Sequence, residues 1–461
     1  MLLGTAESTS ATLLPEPLFR IQNLLRTVDL TKSYLRESLS FIVENIASVS
    51  QTEFYIAVPA YDAYGKVVIL EVKEKRDDFL ASTNVELVPT SEEKNATFYK
   101  VSLVMPLAPG QVSNIQVATA VFHSTVPQPK AIKQPEAQFL LWRGSRLTMS
   151  PYEVVRQRMK VKVSDKGAIA YSKSKGDPVV EGSTLTYGPY MNTLPYSSDP
   201  IAVRYEYHFP LVEVTKLKRE FWVSHYGGVL ETEENYWMTN AAAKLSENFS
   251  RLRYQASTMT QERSTAIRGF NFHLLPGARD VYFTDEIGNV STSNFRPHAR
   301  DPTVEVRPRY PIFGGWNYTF TLGWNHDLGR SLKVLSTDER NVTTYLLRVP
   351  FVEGPDNTVY DTVEVSVVLP EGAKIVDVST SYKDFERTEY YLKSQLDTIG
   401  RTVVKLTAHN VVDEHRRNDI YVTYEYSSTA ILRKPALVSV GLFAIFLTAI
   451  IFGRMNFRIS K

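Results

Sequence analysis

The sequence predicts a mainly β protein with two β-sandwich-like domains followed by a single C-terminal transmembrane helix. The chain of 461 residues contains 26 Tyr and 22 Phe, and aromatic residues are enriched in strands. Hydrophobic residues alternate with polar ones in many short runs, which is the period of a half-buried strand. One uncharged apolar segment near the end of the chain is long enough to span a bilayer.

Composition excludes several classes of function. The 52 Lys and Arg residues stand against 50 Asp and Glu, a formal net charge of +2, which argues against a general nucleic-acid-binding surface. The chain contains no cysteine, so thiolate metal sites, thiol nucleophiles and disulfides are excluded. Hydrophobic residues make up 43% of the chain, which is enough to build large buried cores.

Strands are predicted between residues 20 and 430. Residues 362–372 (TVEVSVVLPEG) alternate valine with other residues and end in turn residues. Similar runs lie at residues 39–46, 67–72, 101–104, 155–163, 343–349 and 403–406. Helical runs are scarce, and the best short candidate, residues 239–249, is read equally well as a loop. This part of the chain is therefore expected to form antiparallel sandwiches.

Two matching strand registers predict a domain boundary and suggest an internal duplication. Residues 201–207 and 420–426 both carry Ile, Val, Tyr and Tyr at alternate positions, as expected for the last strand of each domain. Segments starting at Arg26 and Arg219 are the corresponding first strands. The alternative is that this pattern is merely a favourable strand sequence.

The expected domain ranges follow from these strands. Residues 1–19 form an N-terminal segment without a recognisable signal peptide. The first β domain is expected at 20–213 and the second at 214–432, with the boundary near residues 211–216.

Residues 436–453 (ALVSVGLFAIFLTAIIFG) are the predicted transmembrane helix. At 1.5 Å per residue the segment reaches about 27 Å, which matches the thin bilayer of the endoplasmic reticulum. Residues 454–461 form a short tail, and their slight excess of cations favours a cytoplasmic C-terminus.

Three small residues within this helix share one face. Gly441, Ala444 and Thr448 fall at i, i+3 and i+7, which predicts close packing against another membrane helix. Such residues are also common in any membrane span, so the alternative is that the face has no packing role.

Five Asn-X-Ser/Thr sequons precede the span and none follows it. They are Asn95, Asn248, Asn289, Asn317 and Asn341. Each is a weak pattern alone, but together they predict a lumenal, glycosylated ectodomain. Asn289 and Asn317 lie beside turn residues and are the first choices for carrying glycan.

No catalytic constellation is recognisable. The sequence lacks an HExxH motif, a GxSxG elbow, a phosphate-binding loop and dinucleotide-binding glycines. The densest groups of acid/base residues, 413–415 and 231–234, are interpreted as exposed charged turns, because their flanks are polar. No catalytic, cofactor-binding or metal-binding residue is therefore expected.

One charged pattern is more regular. Arg156, Arg158, Lys160 and Lys162 alternate with other residues, so four cations would lie on one face of a strand. They could dock an acidic partner or a lipid pyrophosphate, or they could protect an edge strand against aggregation. The second interpretation is favoured, because nothing nearby supplies a backbone amide cradle for phosphate.

Several segments resemble the ribophorin I family, which is subunit 1 of the eukaryotic oligosaccharyltransferase complex. The most specific are residues 281–293 (VYFTDEIGNVSTS) and 307–316 (RPRYPIFGGW), and residues 249–254, 354–361 and 369–373 support them. The resemblance runs from Arg26 through the membrane span. The chain departs from the family's pattern in lacking a recognisable signal peptide and the long helical tail of animal members, and its short end resembles fungal forms.

This resemblance implies a single-pass type I protein of the endoplasmic reticulum membrane. It implies a non-catalytic subunit that supports transfer of an oligosaccharide from dolichyl pyrophosphate to Asn in the sequons of nascent polypeptides. The implied partners are a small membrane subunit and a multi-spanning subunit that carries the catalytic carboxylates and metal. The alternatives are an independent membrane receptor or chaperone for unfolded chains, and a membrane-anchored hydrolase with a site assembled from distant residues.

Overall fold

The computed structural model describes residues 15–455 except 60–66, 77–78, 92–95, 165, 175–176, 261–263, 299, 301, 340, 383–384 and 395. The described chain divides into two compact units. Unit 1 contains the residues up to Val212 together with Asn240–Ala266 and Phe313–Gly315, and unit 2 contains Glu213–Thr239, Ile267–Ile312 and the residues from Trp316 onward. Two segments inside the range 214–432 thus group with unit 1, and the exact ranges 20–213 and 214–432 stay predictions.

Unit 1 is built almost entirely of strands. They are β1 (Phe19–Asp29), β2 (Leu35–Asn45), β3 (Gln51–Pro59), β4 (Val67–Arg76), β5 (Phe79–Ser82), β6 (Asn84–Ser91), β7 (Ala96–Leu107), β8 (Val112–Val121), β9 (Thr125–Pro127), β10 (Ala131–Ile132), β11 (Phe139–Ser145), β12 (Glu153–Lys162), β13 (Ala168–Tyr171), β14 (Val179–Glu181), β15 (Thr184–Thr193) and β16 (Pro200–Glu206). Its later segment adds β19 (Lys244–Leu245) and helix α1 (Arg251–Thr260).

Unit 2 has the same character and ends in a long helix. Its strands are β17 (Val212–Ser224), β18 (Val229–Asn240), β20 (Phe270–His273), β21 (Arg279–Asp285), β22 (Gly288–Asn289), β23 (Asn294–Arg296), β24 (Thr303–Val306), β25 (Asn317–Asp327), β26 (Leu332–Thr337), β27 (Val342–Pro350), β28 (Thr358–Val368), β29 (Lys374–Thr380), β30 (Phe385–Leu392), β31 (Arg401–Val412) and β32 (Asp419–Ser427). The helices are α2 (Leu328–Ser331), a 3₁₀ turn (Asp413–Arg417), α3 (Ser428–Ile431) and α4 (Arg433–Arg454).

The two units are structural repeats of one another. The large sheet of unit 1 has the order β14-β15-β12-β1-β2-β8-β4-β5, and that of unit 2 has the order β30-β31-β28-β17-β18-β25-β21-β22. Each unit adds a four-stranded sheet, β13-β16-β11-β9 or β29-β32-β27-β26, and a three-stranded sheet, β3-β7-β6 or β20-β24-β23. Each strand of these sheets has a counterpart at the same position and in the same chain order in the other unit, which confirms the suggested duplication.

The matched registers of the sequence correspond to matched strands. In β16 the side chains of Ile201, Val203 and Tyr205 are buried, and in β32 those of Ile420 and Val422 are buried in the same alternation. Because strand side chains alternate between faces, the repeated pattern places the same residue types against each core.

The smaller sheets cover one face of each large sheet. In unit 1, Trp142 of β11 packs in one hydrophobic cluster with Val161 of β12, and Phe54 of β3 packs edge-on against Phe41 of β2 at 6.3 Å. In unit 2 the rings of β18, β20 and β25 pack together. The expected mainly β, two-domain architecture is therefore confirmed. The side of the unit 1 large sheet that the smaller sheets do not cover is called its outer face.

Helix α4 is the one helix in the described residues that is long and apolar enough to cross a membrane. It includes the expected span 436–453 and begins at Arg433, and none of its side chains is buried. By contrast, the helix candidate at residues 239–249 is not helical, since it holds the end of β18 and the short strand β19. The nearest helix begins at Arg251.

Candidate functional site

The outer face of the unit 1 large sheet carries a row of four cations. Arg156, Arg158, Lys160 and Lys162, called the basic row here, point outward along β12 while the residues between them are buried. Alternate residues of a strand are about 6.8 Å apart, so the basic row extends over about 20 Å. The predicted one-sided arrangement is therefore present.

The basic row does not lie on an edge strand. β12 pairs in parallel with β1 on one side and antiparallel with β15 on the other. Protection of an exposed edge is thus the wrong explanation for these cations. The sequence could not reveal this, because a central strand with one solvated face has the same alternation as an edge strand.

Among the described residues, the basic row has no ion-pair or hydrogen-bond partner. The carboxylates on neighbouring strand positions bind elsewhere. Asp29 accepts hydrogen bonds from the amide and hydroxyl of Thr31 at 3.0 and 2.6 Å, and Glu153 pairs with Arg20 at 3.2 Å. The positive charge of the row is therefore left for solvent or a partner.

The equivalent strand of unit 2, β28, carries a charged side chain that is paired. On β28 the Glu364 carboxylate lies between Lys216 at 2.8 Å and Lys405 at 3.3 Å. Burial raises the pKa of Glu364, but the hydrogen bonds from both lysines outweigh it and the pKa lies below its usual value. In unit 2 the charges at this sheet position are thus paired within the unit.

A shallow depression lies on the same outer face. It is lined by Leu25 and Thr27 of β1, Ser38 and Ser40 of β2, Gln116 and Ala118 of β8, and the ion pair of Glu71 with Lys73 on β4. Most of these side chains are small and neutral. The outer face therefore offers a hydroxyl-lined surface beside the basic row.

The carboxylate group at 231–234 has a structural role that the sequence did not predict. Glu234 is fully buried, contrary to the expected exposed turn, and its Oε1 lies 2.5 Å from Nε of Arg219. Arg219 also binds Glu353 at 2.9 Å and donates to the Pro350 carbonyl oxygen at 2.7 Å. Burial raises the pKa of Glu353 to about 7, although the Arg219 charge opposes this shift.

The same device occurs at the equivalent place in unit 1. Nε of Arg26 lies 2.6 Å from Glu37 Oε1, and Nη1 donates to the carbonyl oxygen of Ser145 at 2.8 Å. Ser145 ends β11 as Pro350 ends β27. An arginine on the first strand thus joins the second strand to the four-stranded sheet in both units.

The group at 413–415 does form a turn, but Asp413 and His415 within it are buried rather than exposed. Asp413 accepts a hydrogen bond from the Asn357 amide at 3.0 Å, and Nδ1 of His415 accepts from the Val412 amide at 3.0 Å. Burial lowers the pKa of His415 to about 4, so the ring is neutral at physiological pH. These groups satisfy backbone amides, and this is the role that their contacts support.

The sequon asparagines that the structure describes are all solvent-exposed. Asn248, Asn289, Asn317 and Asn341 lie at the surface, and Asn95 lies outside the described residues. At Asn289 the backbone is fixed, because Arg309 donates to its carbonyl oxygen at 2.9 Å and to Asp285 at 2.7 Å. Exposure makes each described site accessible, and occupancy by glycan stays a prediction.

The small-residue face of α4 is open. A side chain added at Gly441 would meet no atom within 4 Å, and the Thr448 hydroxyl donates to the carbonyl oxygen of Ala444 within the helix. Packing of this face against another helix stays a prediction.

Known proteins are similar to this chain over almost its whole length. The ribophorin I family model matches residues 19–453. Dolichyl-diphosphooligosaccharide–protein glycosyltransferase subunit 1A of Arabidopsis thaliana is 33% identical over 443 residues, covering 95% of this chain and 70% of that protein. Subunit 1 of Caenorhabditis elegans is 30% identical over 450 residues, covering 97% and 74%. On this similarity the chain belongs to the ribophorin I family.

Proposed function

We propose that the protein is a non-catalytic subunit of an oligosaccharyltransferase complex in the endoplasmic reticulum. There it supports transfer of an oligosaccharide from dolichyl diphosphate to Asn in the sequons of nascent polypeptides. The observation that carries this proposal is the family match over residues 19–453, with relatives named as subunit 1 of that glycosyltransferase. A non-catalytic role is supported because the two densest groups of acid/base residues, 231–234 and 413–415, bind partners within the fold.

The proposed topology is single-pass type I, with α4 in the membrane. The exposed sequon asparagines all precede α4 in the chain, as expected if unit 1 and the part of unit 2 before α4 are lumenal. Protease treatment of sealed microsomes tests this arrangement. Protection of both units without detergent is expected, and their digestion in intact vesicles would contradict it.

The basic row is proposed as the place where an acidic surface of a partner subunit docks. Its cations lie on a rigid central strand and have no partner among the described residues. Unit 2 pairs the charges of the equivalent strand internally. The difference between two copies of one fold supports an intermolecular role for the row in unit 1, because the fold itself does not need these unpaired cations.

Charge reversal tests this docking surface. Arg158→Glu with Lys160→Glu should lower recovery of the multi-spanning catalytic subunit in a pull-down from mild detergent, most strongly at low salt. The matched control is Lys130→Glu with Arg143→Glu, which reverses two exposed cations of unit 1 outside this face. Equal recovery with both double variants would contradict the docking role.

The same pull-down separates the proposed function from its main alternative. Stoichiometric recovery of the wild-type chain with a multi-spanning glycosyltransferase supports the subunit role. Recovery of the chain alone would instead support an independent receptor or chaperone.

A further inference from the structure

The hairpin β30–β31 ends in a tip, formed in the described residues by 393–394 and 396–400, that exposes two large apolar side chains. Leu396 is 58% exposed and Ile399 is 57% exposed. The last paired residues below the tip are Leu392 and Arg401. Covering exposed aliphatic side chains with another apolar phase removes their area from water and is favourable.

An ion pair fastens this tip to the first turn of α4. The Asp397 side chain is fully buried, and its Oδ1 lies 2.7 Å from Nζ of Lys434. Its Oδ2 accepts a hydrogen bond from the Ser394 amide at 2.8 Å and lies 3.4 Å from Nε of Arg401. Burial raises the pKa of Asp397, but the bonds from Lys434 and Ser394 outweigh it, so the carboxylate stays ionised.

The backbone of the tip is also held from the other side. Oε1 of Glu371 accepts hydrogen bonds from the amides of Thr398 and Ile399 at 2.6 and 2.8 Å. The Thr398 hydroxyl donates to the same oxygen at 2.6 Å. The backbone at Thr398 and Ile399 is therefore held in place by Glu371.

The position of Lys434 along α4 indicates that the apolar phase covering the tip is the membrane. Lys434 is two residues before the apolar segment that starts at residue 436, which is about 3 Å along a helix axis. A lysine at the end of a membrane span places its ammonium at the interface. A group in contact with that ammonium therefore lies at the same level.

The repeat supplies an internal comparison. In unit 1 the equivalent strands β14 and β15 are joined by only Gly182 and Ser183. The eight-residue tip, 393–400, occurs in the unit that carries α4. The extension thus accompanies the membrane helix and is not required by the shared fold.

We propose that the tip, through Leu396 and Ile399, is a membrane-contacting element. Leu396 and Ile399 enter the boundary between headgroups and acyl chains on the ectodomain side, about 5–10 Å into the bilayer surface, as interfacial apolar residues do. The Asp397–Lys434 ion pair joins the β30–β31 hairpin to α4 at this level. The inference rests on the proposed membrane insertion of α4.

Because the chain contains no cysteine, a single introduced cysteine can be labelled specifically. Single variants Leu396→Cys, Ile287→Cys and Phe443→Cys are labelled with an environment-sensitive fluorophore, and the full chain is reconstituted in phosphatidylcholine nanodiscs. Ile287 is the matched control, because it is an apolar hairpin residue, 76% exposed, beside β22 at the opposite edge of the same sheet from β30. Phe443 reports insertion of α4.

Quenching by lipids brominated along the acyl chain is then measured. Label at Leu396 should be quenched several-fold more than label at Ile287, and label at Phe443 should be quenched strongly. Quenching at Phe443 but not at Leu396 would overturn the membrane-contacting tip and leave the anchor intact. Absence of quenching at Phe443 would overturn the anchor itself, and equal quenching at Leu396 and Ile287 would overturn the specificity of the tip.

A second variant tests the ion pair. Asp397→Asn, added to Leu396→Cys, should lower quenching at residue 396 while quenching at Phe443 in its own background is unchanged. Unchanged quenching at residue 396 would show that the ion pair does not position the tip.

Discussion

Replacing Arg219 with Met tests the buried ionic network of unit 2. The Arg219 guanidinium is fully buried and lies 2.5 Å from Glu234 and 2.9 Å from Glu353. Methionine keeps an unbranched apolar side chain but removes the cation, so two carboxylates lose their partner in a low-dielectric site. Removing one partner of a buried pair costs about 3–5 kcal/mol, because the remaining charge is uncompensated.

The loss should appear as a lower melting temperature of unit 2. For 150–250 residues each kcal/mol shifts the melting temperature by about 2–4 °C, so the expected decrease is about 6–20 °C. Calorimetry of the full chain in mild detergent measures it. Arg26→Met is the matched variant, since Arg26 makes the equivalent contact with Glu37 in unit 1, and it should likewise lower the melting temperature of unit 1.

A combined variant separates stranded charge from lost packing. Arg219→Met with Glu234→Gln and Glu353→Gln removes the charges together, and it should recover most of the stability, because apolar or neutral replacement of a whole buried network is tolerated. The reasoning is refuted if Arg219→Met costs less than about 1 kcal/mol, the range of a surface pair. It is equally refuted if the combined variant is less stable than Arg219→Met.

Three further predictions follow from individual sites. Burial raises the pKa of Glu353 from 4.5 to about 7, so between these pH values the folded state binds a proton that the unfolded state has lost. The stability of unit 2 should therefore fall as the pH rises from 4.5 to about 7. Glu353→Gln should reduce this pH dependence of the unfolding free energy in denaturant titrations. Gly314→Ala would place a Cβ 2.1 Å from a backbone carbonyl oxygen and should destabilise unit 1 by about 1–3 kcal/mol, measured by its melting temperature. If a small membrane subunit is a partner, as the family resemblance implies, Gly441→Leu with Thr448→Leu should lower its recovery while Phe446→Leu does not, and equal recovery of all would mean that other contacts hold the complex.

Local pattern was sufficient to predict some of the strands and to suggest the repeat. Alternation of apolar residues depends only on neighbours in sequence, and it placed β16 and β32 with their correct inward residues. The pairing of Arg26 with Arg219 as equivalent strand positions was also correct, since both make the same contacts in their units.

The order of strands in the sheets and the burial of charged side chains could not be predicted from local pattern. The edge interpretation of β12 was wrong because strand neighbours such as β1 are distant in sequence. Glu234 looked exposed because its run of carboxylates is polar, yet the adjacent strand places Arg219 against it. A buried carboxylate is recognisable only when its partner is known, and that partner is set by tertiary structure.

Duplication of the fold gives a physical criterion for separating stability from function. The arginine that joins the second strand to the four-stranded sheet is present in both units at the same position, so the fold itself requires it. The unpaired basic row belongs to unit 1, and the apolar tip belongs to unit 2. The other unit folds without an equivalent of either surface. Like charges repel one another along the basic row, and covering the apolar tip would remove its area from water favourably. These two surfaces are therefore where contacts outside the chain, with an acidic subunit and with lipid, are to be sought.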